Sequence, residues 1–329
     1  MPSSPRPTAP RRRTVLAALA ASAVAAPRLS AAQPASPTQP LRIIVPFGPG
    51  GLADISTRVV AQKLAERIGQ QVVIDNRPGA GGVIAANTAL TAPRDGHTLI
   101  LFTNGTTIAK SLFKTAYDPE VDFTPVSTLG YFDLVLLVGK DSPIADLSAL
   151  LAQGRKRRLT LGTINPGSTQ HLSAELFKSV AQIDATHVPF KSSPEVLTAL
   201  LRGDVDVGFE SYAALKGAID AGQVRALAQT GPARTLWLPN VPTVREAGLA
   251  GYEVTGWNAL YAAKGVPAAV IELLSGHVRE IMRLPDVRKR FLDSGVEPRG
   301  STPAEIAAVF TRDYRKWAQV IQQAGIKAQ

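Results

Sequence analysis

The 329-residue sequence contains no cysteine, which excludes disulfide bonds, thiolate metal sites and cysteine nucleophiles. After the first 30 or so residues it also lacks any uninterrupted apolar run of roughly 18 residues, so the sequence predicts no membrane-spanning helix in the mature chain. Hydrophobic residues make up 45% and charged residues 19% of the chain. This composition is typical of a globular fold with an ample core.

Acidic residues are absent from the first 32 positions, which hold five arginines, so residues 33–329 carry a net charge of +5 rather than the +10 of the whole chain. This modest excess does not indicate nucleic-acid binding, and we expect no such partner. The densest later basic cluster, residues 155–158, is interpreted as a solvated turn before a strand.

The N-terminus has the pattern of an export signal. Arginines at 11–13 precede a short apolar stretch at 15–26, and Ser30, Ala31 and Ala32 are small residues at the spacing that a signal peptidase uses. We therefore predict a signal peptide over residues 1–32 and a periplasmic location. The paired arginines resemble a twin-arginine signal. The alternative is a disordered basic tail.

Strand and helix patterns alternate along the rest of the chain, which predicts an α/β fold with a parallel or mixed sheet. Predicted strands are 41–47, 71–75, 97–102, 132–138, 159–163, 186–190, 205–209, 224–229 and 252–262. Predicted helices are 54–68, 83–90, 170–182, 196–202, 213–221, 268–283, 286–294 and a last helix from about 302 to 323.

Two apolar segments far apart in sequence, 132–138 and 252–262, are each suited to carry the chain from one lobe to another. We therefore predict that residues 33–137 and 258–329 form lobe 1, the latter as its C-terminal helical part, and that residues 138–257 form lobe 2. Such an arrangement leaves a cleft that can close by a hinge motion on a ligand.

The first candidate binding loop is residues 46–54, where glycines precede a helix. Glycine allows close backbone approach, and free N–H groups at a helix N-terminus attract anions, so this loop predicts an anion site without Arg or Lys. Asp54 stands where a helix N-cap would be. Both a structural and a ligand-binding role are open for it.

Three further segments are candidates on the same reasoning. Residues 103–107 offer Asn104 and Thr106 as donors and acceptors, or form an ordinary turn. In residues 165–171, Ser168 or Thr169 is predicted to cap a helix, and His171 either donates to the ligand or is a local structural partner. Lys191 faces either the cleft or the solvent. Two opposed helix N-termini would suit a diacid.

Several catalytic signatures are missing: the Walker loop, Gly-x-Gly-x-x-Gly, the Gly-x-Ser-x-Gly elbow and His-Glu-x-x-His. The four histidines are scattered without metal-ligand spacing. We therefore expect no enzyme activity, no cofactor and no metal site.

An ordered set of motifs resembles the substrate-binding receptors of tripartite tricarboxylate transporters, the Bug family. The motifs are IVPFGPGGLAD (44–54), NRPGAGG (76–82), DGHTL (95–99), GSTQHL (167–172), HVPFK (187–191), LRGDVD (201–206), VPTVREAG (241–248) and AGIK (324–327). Each motif is loose, but the ordered set is specific and covers nearly all of residues 40–329.

The resemblance implies a two-lobe type II periplasmic-binding-protein fold with a ligand cleft between the lobes. It also implies a ligand carboxylate held by loop backbone groups, partly through ordered waters. The positions that it carries over are Phe47, Gly50, Gly51, Asp54, Asn104, Ser168, Thr169 and His171, to which we add Thr106, Lys191 and Glu210 as candidates.

This sequence departs from the family pattern at three places: 162–166, Ser192–Ser193, and Glu210, near a position where members often carry Asp. Glu210 either selects an amino or cationic group of the ligand or only caps a helix. The expected ligand is a di- or tricarboxylate, an acidic amino acid or an aromatic acid, delivered by a monomer to membrane permease subunits. Alternatives are a ligand sensor for a membrane signalling partner and an enzyme acting on a carboxylic acid.

Overall fold

The computed structural model describes residues 1–4, 39–79, 82–108 and 115–324. The predicted signal peptide, beyond its first four residues, lies outside the described residues. Within the described ranges, none of the helices has the length and apolar character needed to cross a membrane.

Strands and helices alternate through most of the chain, as predicted. The described strands are β1 (Leu41–Val45), β2 (Val72–Asn76), β3 (Thr98–Thr103), β4 (Phe123–Gly139), β5 (Leu159–Ile164), β6 (Ala185–Phe190), β7 (Val207–Ser211), β8 (Val224–Gln229), β9 (Thr255–Ala263) and β10 (Glu297–Pro298). The described helices are α1 (Leu52–Ile68), α2 (Val83–Leu90), α3 (Leu147–Gly154), α4 (Thr169–Ala181), α5 (Ser193–Arg202), α6 (Tyr212–Asp220), α7 (Ala268–Ile281), α8 (Pro285–Asp293) and α9 (Pro303–Ala324).

The strands form one mixed sheet in the order β2-β1-β3-β9-β4-β7-β5-β6, with β8 and β10 also paired to β4. Pairs β1–β2, β1–β3, β5–β6 and β5–β7 are parallel, whereas β3–β9 and every pair of β4 are antiparallel. The loops at the carboxyl ends of β1, β3, β5 and β6 meet, since Gly48 contacts Lys191 and Gly105 contacts Gly167.

Strand β4 divides the sheet into two half-sheets. Its residues up to Asp133 pair with β9, and from Leu134 onward they pair with β7 and β8. We call β2-β1-β3-β9 with the first part of β4 the first half-sheet, and the rest the second half-sheet. The predicted strand 132–138 captured only the second part of this 17-residue element.

The terminal helix α9 packs on both half-sheets. Ile306 and Phe310 belong to a core cluster with Trp257 of β9, whose indole N–H donates to Asp313 at 2.7 Å. Further along the helix, Trp317 belongs to the core cluster of the second half-sheet. The expectation that the last helices pack on the first lobe therefore describes only part of α9.

Candidate functional site

The turn between β1 and α1 brings backbone, rather than side chains, to the interface between the half-sheets. Gly48 donates its N–H to the carbonyl of Lys191 at 3.2 Å. A Cβ at Gly48 would lie 2.8 Å from that carbonyl, and a Cβ at Gly51 would lie 3.0 Å from Ser193 Oγ. The glycines therefore permit the turn to contact the start of α5 directly.

The prediction that Asp54 occupies the N-cap of α1 is wrong, because the N-cap is Gly51 and Asp54 lies in the first turn. The buried Asp54 carboxylate accepts the N–H of Gly50 at 3.1 Å, Nε of Arg58 at 2.9 Å and the amide of Asn76 at 3.1 Å. Burial raises the pKa of Asp54, but these hydrogen bonds outweigh burial and hold the pKa below its usual value. Asp54 thus stabilises the turn between β1 and α1 through its hydrogen bonds to Gly50 and Asn76, which is a structural role.

The segment after β3 is a short 3₁₀ helix, Asn104–Ile108, rather than an ordinary turn. Asn104 is fully buried, and its Oδ1 accepts the hydroxyl of Thr169 from the second half-sheet. Thr106 accepts the N–H of Thr103 at 3.1 Å. The amide nitrogen of Asn104 and the hydroxyl of Thr103 are buried and have no hydrogen-bond partner within the described part of the chain.

Ser168 is the N-cap of α4, which confirms one of the two residues, Ser168 or Thr169, that the sequence predicted for this position. Its hydroxyl accepts the N–H of His171 at 3.1 Å and donates to the carbonyl of Ile164 at 3.1 Å. His171 Nδ1 accepts the N–H of Gly167 at 3.0 Å. Burial lowers the pKa of His171 to about 4, so the ring is neutral with its proton on Nε2. Gly167 is therefore a local structural partner of His171 through Nδ1.

The start of α5 forms an altered capping box. The N-cap is Ser192, but it makes no side-chain cap; instead Glu195 accepts the N–H of Lys191 at 3.1 Å and the hydroxyl of Ser192 at 3.2 Å. The Lys191 side chain is exposed to solvent. Its contribution at the interface is the backbone carbonyl that accepts from Gly48.

Glu210 lies near the end of β7 and is completely buried. Its Oε2 accepts the N–H of Ser211 at 3.1 Å and the amide of Gln170 at 3.2 Å, while no described residue forms a hydrogen bond with Oε1. Burial raises the pKa of Glu210 to about 7, although Gln170, Ser211 and Ser193 each act to lower it. The N-cap of α6 is Ser211, so the capping role considered for Glu210 is wrong.

Three helix N-termini line one cavity between the half-sheets, which we call the polar cavity. Its lining residues come from the starts of α1, α4 and α5, from the ends of β3 and β5, and from β4 and β9: Phe47, Gly48, Gly51, Leu52, Ala53, Thr103, Phe132, Ile164, Thr169, Gln170, Ser192, Ser193 and Asn258. No Lys or Arg is among these described residues, so free helix N–H groups supply the positive potential.

An adjoining cavity, which we call the apolar cavity, shares Phe47 with the polar cavity. Its lining is mostly hydrophobic: Pro46, Phe47, Gly82, Ile100, Leu101, Phe102, Thr106, Tyr117, Pro166, Gly167 and Ser168. Burial raises the pKa of Tyr117 to about 12, so its phenol is neutral at neutral pH. The described residues hold no group of three or more His, Asp or Glu side chains placed to bind a metal ion.

Sequence reasoning brought several of these residues together and missed others. Phe47, Gly51 and Thr169 line the polar cavity, and Phe47, Thr106 and Ser168 line the apolar cavity. Gln170, Ser193 and Asn258 were missed. The signal for Asn258 was a lone amide in the otherwise apolar strand β9.

Comparison with known proteins gives a consistent result. A family profile described as "Tripartite tricarboxylate transporter family receptor" matches residues 56–326. Protein BugT of Bordetella pertussis is 33% identical over 296 residues, which is 88% of this chain and 91% of BugT.

Solved structures are also similar to this chain. Rpa4515 of R. palustris with adipate has 35% identity and a TM-score of 0.85, covering 89% of this chain and 99% of that one. MatC of Rhodopseudomonas palustris with bound malate has 33% identity and a TM-score of 0.82, covering 87% and 99%. The periplasmic binding protein BugD has 27% identity and a TM-score of 0.85, covering 89% and 100%.

Proposed function

The chain belongs to the tripartite tricarboxylate transporter receptor family and has its two-lobe periplasmic-binding-protein fold, and from this we infer that it is an extracytoplasmic receptor that captures a small carboxylate between its lobes. One observation carries the proposal: three helix N-termini line the same cavity, together with buried polar side chains that lack partners. The adipate and malate bound by two similar proteins support the same ligand class.

The polar cavity suits an anion for a physical reason. The first N–H groups of an α-helix have no intrahelical partner, and the helix dipole places a partial positive charge there. Each such terminus is worth about 0.3–1 kcal/mol to a nearby anion, so three together contribute on the order of 1–3 kcal/mol. Direct hydrogen bonds from these N–H groups to a carboxylate add to this figure.

Closure of the two lobes explains how the ligand is captured without a catalytic step. Hydrogen bonds that cross between the half-sheets join Gly48 to Lys191, Thr169 to Asn104, and the Asn165 amide to the carbonyl of Pro46 at 3.4 Å. Opening the cleft would break all three. A ligand that contacts both sides shifts the population toward the closed form by its differential affinity for that form.

The rest of the transport assignment follows from the family. We propose that an N-terminal signal exports the chain to the periplasm, where it acts as a monomer and delivers its ligand to membrane permease subunits. The family description as a transporter receptor and the periplasmic relative BugD support this. Loss of carboxylate uptake in cells lacking the gene, with transcription of the transport genes unchanged, would distinguish delivery from sensing.

Ligand-induced stabilisation of the purified protein tests the proposed function. Thermal unfolding is measured with a panel of mono-, di- and tricarboxylates, with NaCl at matched ionic strength as the control. A true ligand at 100 times its Kd adds about 2.7 kcal/mol to the free energy of unfolding. If every acid in the panel behaves like NaCl, the carboxylate-receptor proposal is wrong. Turnover of a bound acid would instead favour an enzyme.

A further inference from the structure

The side-chain amide of Asn258 has a fixed orientation. Its Nδ2 donates to Ser56 Oγ at 3.1 Å, and the only hydroxyl proton of Ser56 is already donated to the carbonyl of Ala53 at 3.3 Å. Ser56 can therefore only accept from Asn258, which must present its NH₂ group to Ser56. The remaining end of the amide, Oδ1, is an acceptor.

Asn258 Oδ1 is buried and has no partner among the described residues. The residue is 3% exposed and lines the polar cavity. Thr103 lies opposite Asn258 across the β3–β9 pair and also lines this cavity, yet its hydroxyl forms no hydrogen bond with the amide. A buried acceptor in this position is normally satisfied by a donor from outside the protein.

Gln170 is oriented in the same way by Glu210. Oε2 of the ionised Glu210 carboxylate accepts the N–H of Ser211 and can only accept from Gln170 as well, so Gln170 presents its NH₂ group to it. The carbonyl oxygen of Gln170 is then the end of the side chain that does not contact Glu210. Gln170 is 6% exposed and lines the polar cavity. Glu210 is thus a positioning residue that acts through Gln170.

Two carbonyl acceptors in one cavity cannot serve a carboxylate, which offers only acceptors when ionised. The helix N–H groups suit the carboxylate, whereas the buried Oδ1 of Asn258 needs a donor and the carbonyl oxygen of Gln170 is able to accept from one. We propose that the ligand carries, in addition to its carboxylate, a hydroxyl or ammonium group that donates to Asn258 and Gln170. This inference rests on the proposed carboxylate-receptor function and narrows its substrate class to hydroxy- or amino-substituted acids.

Matched ligands test the proposal directly. Titration calorimetry compares unsubstituted, hydroxyl and amino forms of the same skeleton: succinate, malate and aspartate; glutarate, 2-hydroxyglutarate and glutamate; adipate, 2-hydroxyadipate and 2-aminoadipate; and 3-phenylpropanoate, phenyllactate and phenylalanine. In any skeleton that binds, a donor-bearing form should bind at least about tenfold more tightly than the unsubstituted acid. The hydroxyl and amino arms separate the two donor types.

Two near-isosteric variants locate the effect. Asn258→Leu and Gln170→Met each remove one acceptor, so each should reduce the ratio of affinities between the donor-bearing and the unsubstituted form by about tenfold. Matched controls are Asn87→Leu and Gln223→Met, both at exposed positions, which should leave the preference unchanged. Circular dichroism verifies folding of each variant, and the ligand series with the unmodified protein stands even if one variant fails to fold.

The outcomes separate the two proposals. If unsubstituted acids bind as tightly as their hydroxyl and amino forms in every skeleton, the donor inference is wrong and the receptor function stands. If the preference exists but survives both variants, Asn258 and Gln170 are not its source and the inference is again wrong. If no acid binds at all, the carboxylate-receptor function itself fails, and the inference fails with it.

Discussion

Glu210 is a completely buried carboxyl group, so its ionisation opposes folding. Its pKa is raised to about 7 in the folded protein from the model-peptide value of 4.5, so the folded state holds a proton that the unfolded state has lost. The stabilisation from this proton is complete below pH 4.5 and is lost as the pH rises through about 7. Glu210→Gln keeps the shape but removes the titration, so relative to the unmodified protein it should gain roughly 2–3 kcal/mol of unfolding free energy between pH 5 and pH 8.

Urea unfolding at pH 5 and pH 8 measures this difference. The comparison between the two proteins cancels the contributions of His171 and His187, whose pKa values burial lowers to about 4 and about 3 and which oppose the Glu210 trend. Glu272→Gln, at an exposed position in α7, is the matched control. A Glu210→Gln difference that is the same at both pH values would contradict a raised pKa.

Asp54 supports a second residue-level prediction. Asp54→Ala removes the acceptor for the N–H of Gly50 and for the half-buried amide of Asn76, and it removes the ion-pair partner of Arg58. We expect a loss of about 2 kcal/mol in unfolding free energy and weaker ligand binding, because the first loop loses its anchor. Denaturation and calorimetry measure the two effects. Asp293→Ala, which breaks only an exposed ion pair, should change neither, and equal behaviour of the two variants would contradict the anchoring role.

The role of a candidate residue could be predicted from the sequence where neighbouring residues in the chain determine that role. Ser168 precedes a helix and is a good cap in any context, so its position alone indicated its function. Asn258 and Gln170 were not predictable as site residues, because their acceptor ends are selected by Ser56 and Glu210, which are distant in sequence. Asp54 was misplaced since helix α1 begins two residues earlier than the apolar periodicity indicated.

Elements with regular patterns were predicted closely, and β4 shows why others were not. Its first part contains Pro125 and Gly130, which usually interrupt strands, and its register with β9 shifts near both. The single-sequence pattern therefore indicated only the apolar second part. Pairing with β9 over residues 123–133 compensates for the unfavourable local sequence, and that partner lies more than 120 positions away. Helix α3 was missed.

Contact between the 3₁₀ segment after β3 and the start of α4 gives a prediction about closure. A Cβ at Gly105 would lie 2.0 Å from the carbonyl of Gly167, so Gly105→Ala should prevent the closed form while the open form tolerates it. The apparent affinity falls by the same factor as the closed population, and we expect a loss of at least about tenfold. Calorimetry with the tightest ligand measures this loss.

Gly217→Ala is the matched control, since a Cβ at this position in α6 meets nothing within 4 Å. It should stabilise the helix by about 0.5–1 kcal/mol and leave ligand affinity unchanged. Wild-type affinity in Gly105→Ala would mean that the loops after β3 and β5 need not touch when ligand is bound, and closure at this point would have no role.

The two-lobe architecture was predictable because strand–helix alternation restarts midway along the chain and the ordered motifs match one family. The proposed lobe limits, 33–137 with 258–329 and 138–257, place the first crossing at the end of β4. The pairing change between Asp133 and Leu134 lies a few residues earlier, and α9 adds a contact to both half-sheets through Phe310 and Trp317. The contact of α9 with both half-sheets could not be predicted from the local sequence. The sequence pattern of a helix indicates which of its residues are apolar, but it does not indicate which part of the sheet each of them packs against.

A cross-linked variant tests whether motion between the lobes controls binding. A Cβ at Gly51 would lie 3.9 Å from Cβ of Ser193, which is within the range for a disulfide, and the chain has no other cysteine to interfere. In Gly51→Cys/Ser193→Cys, oxidation should hold the cleft closed. Ligand bound beforehand should then dissociate at least about tenfold more slowly, and ligand added afterwards should fail to bind, since entry requires opening. Reduction should restore both rates, measured by exchange of radiolabelled ligand.

The single variant Gly51→Cys, treated with the same oxidant, controls for side-chain changes in the cavity. If oxidised and reduced double variants exchange ligand at the same rate, entry does not depend on separating the start of α1 from the start of α5, and the closure mechanism is wrong.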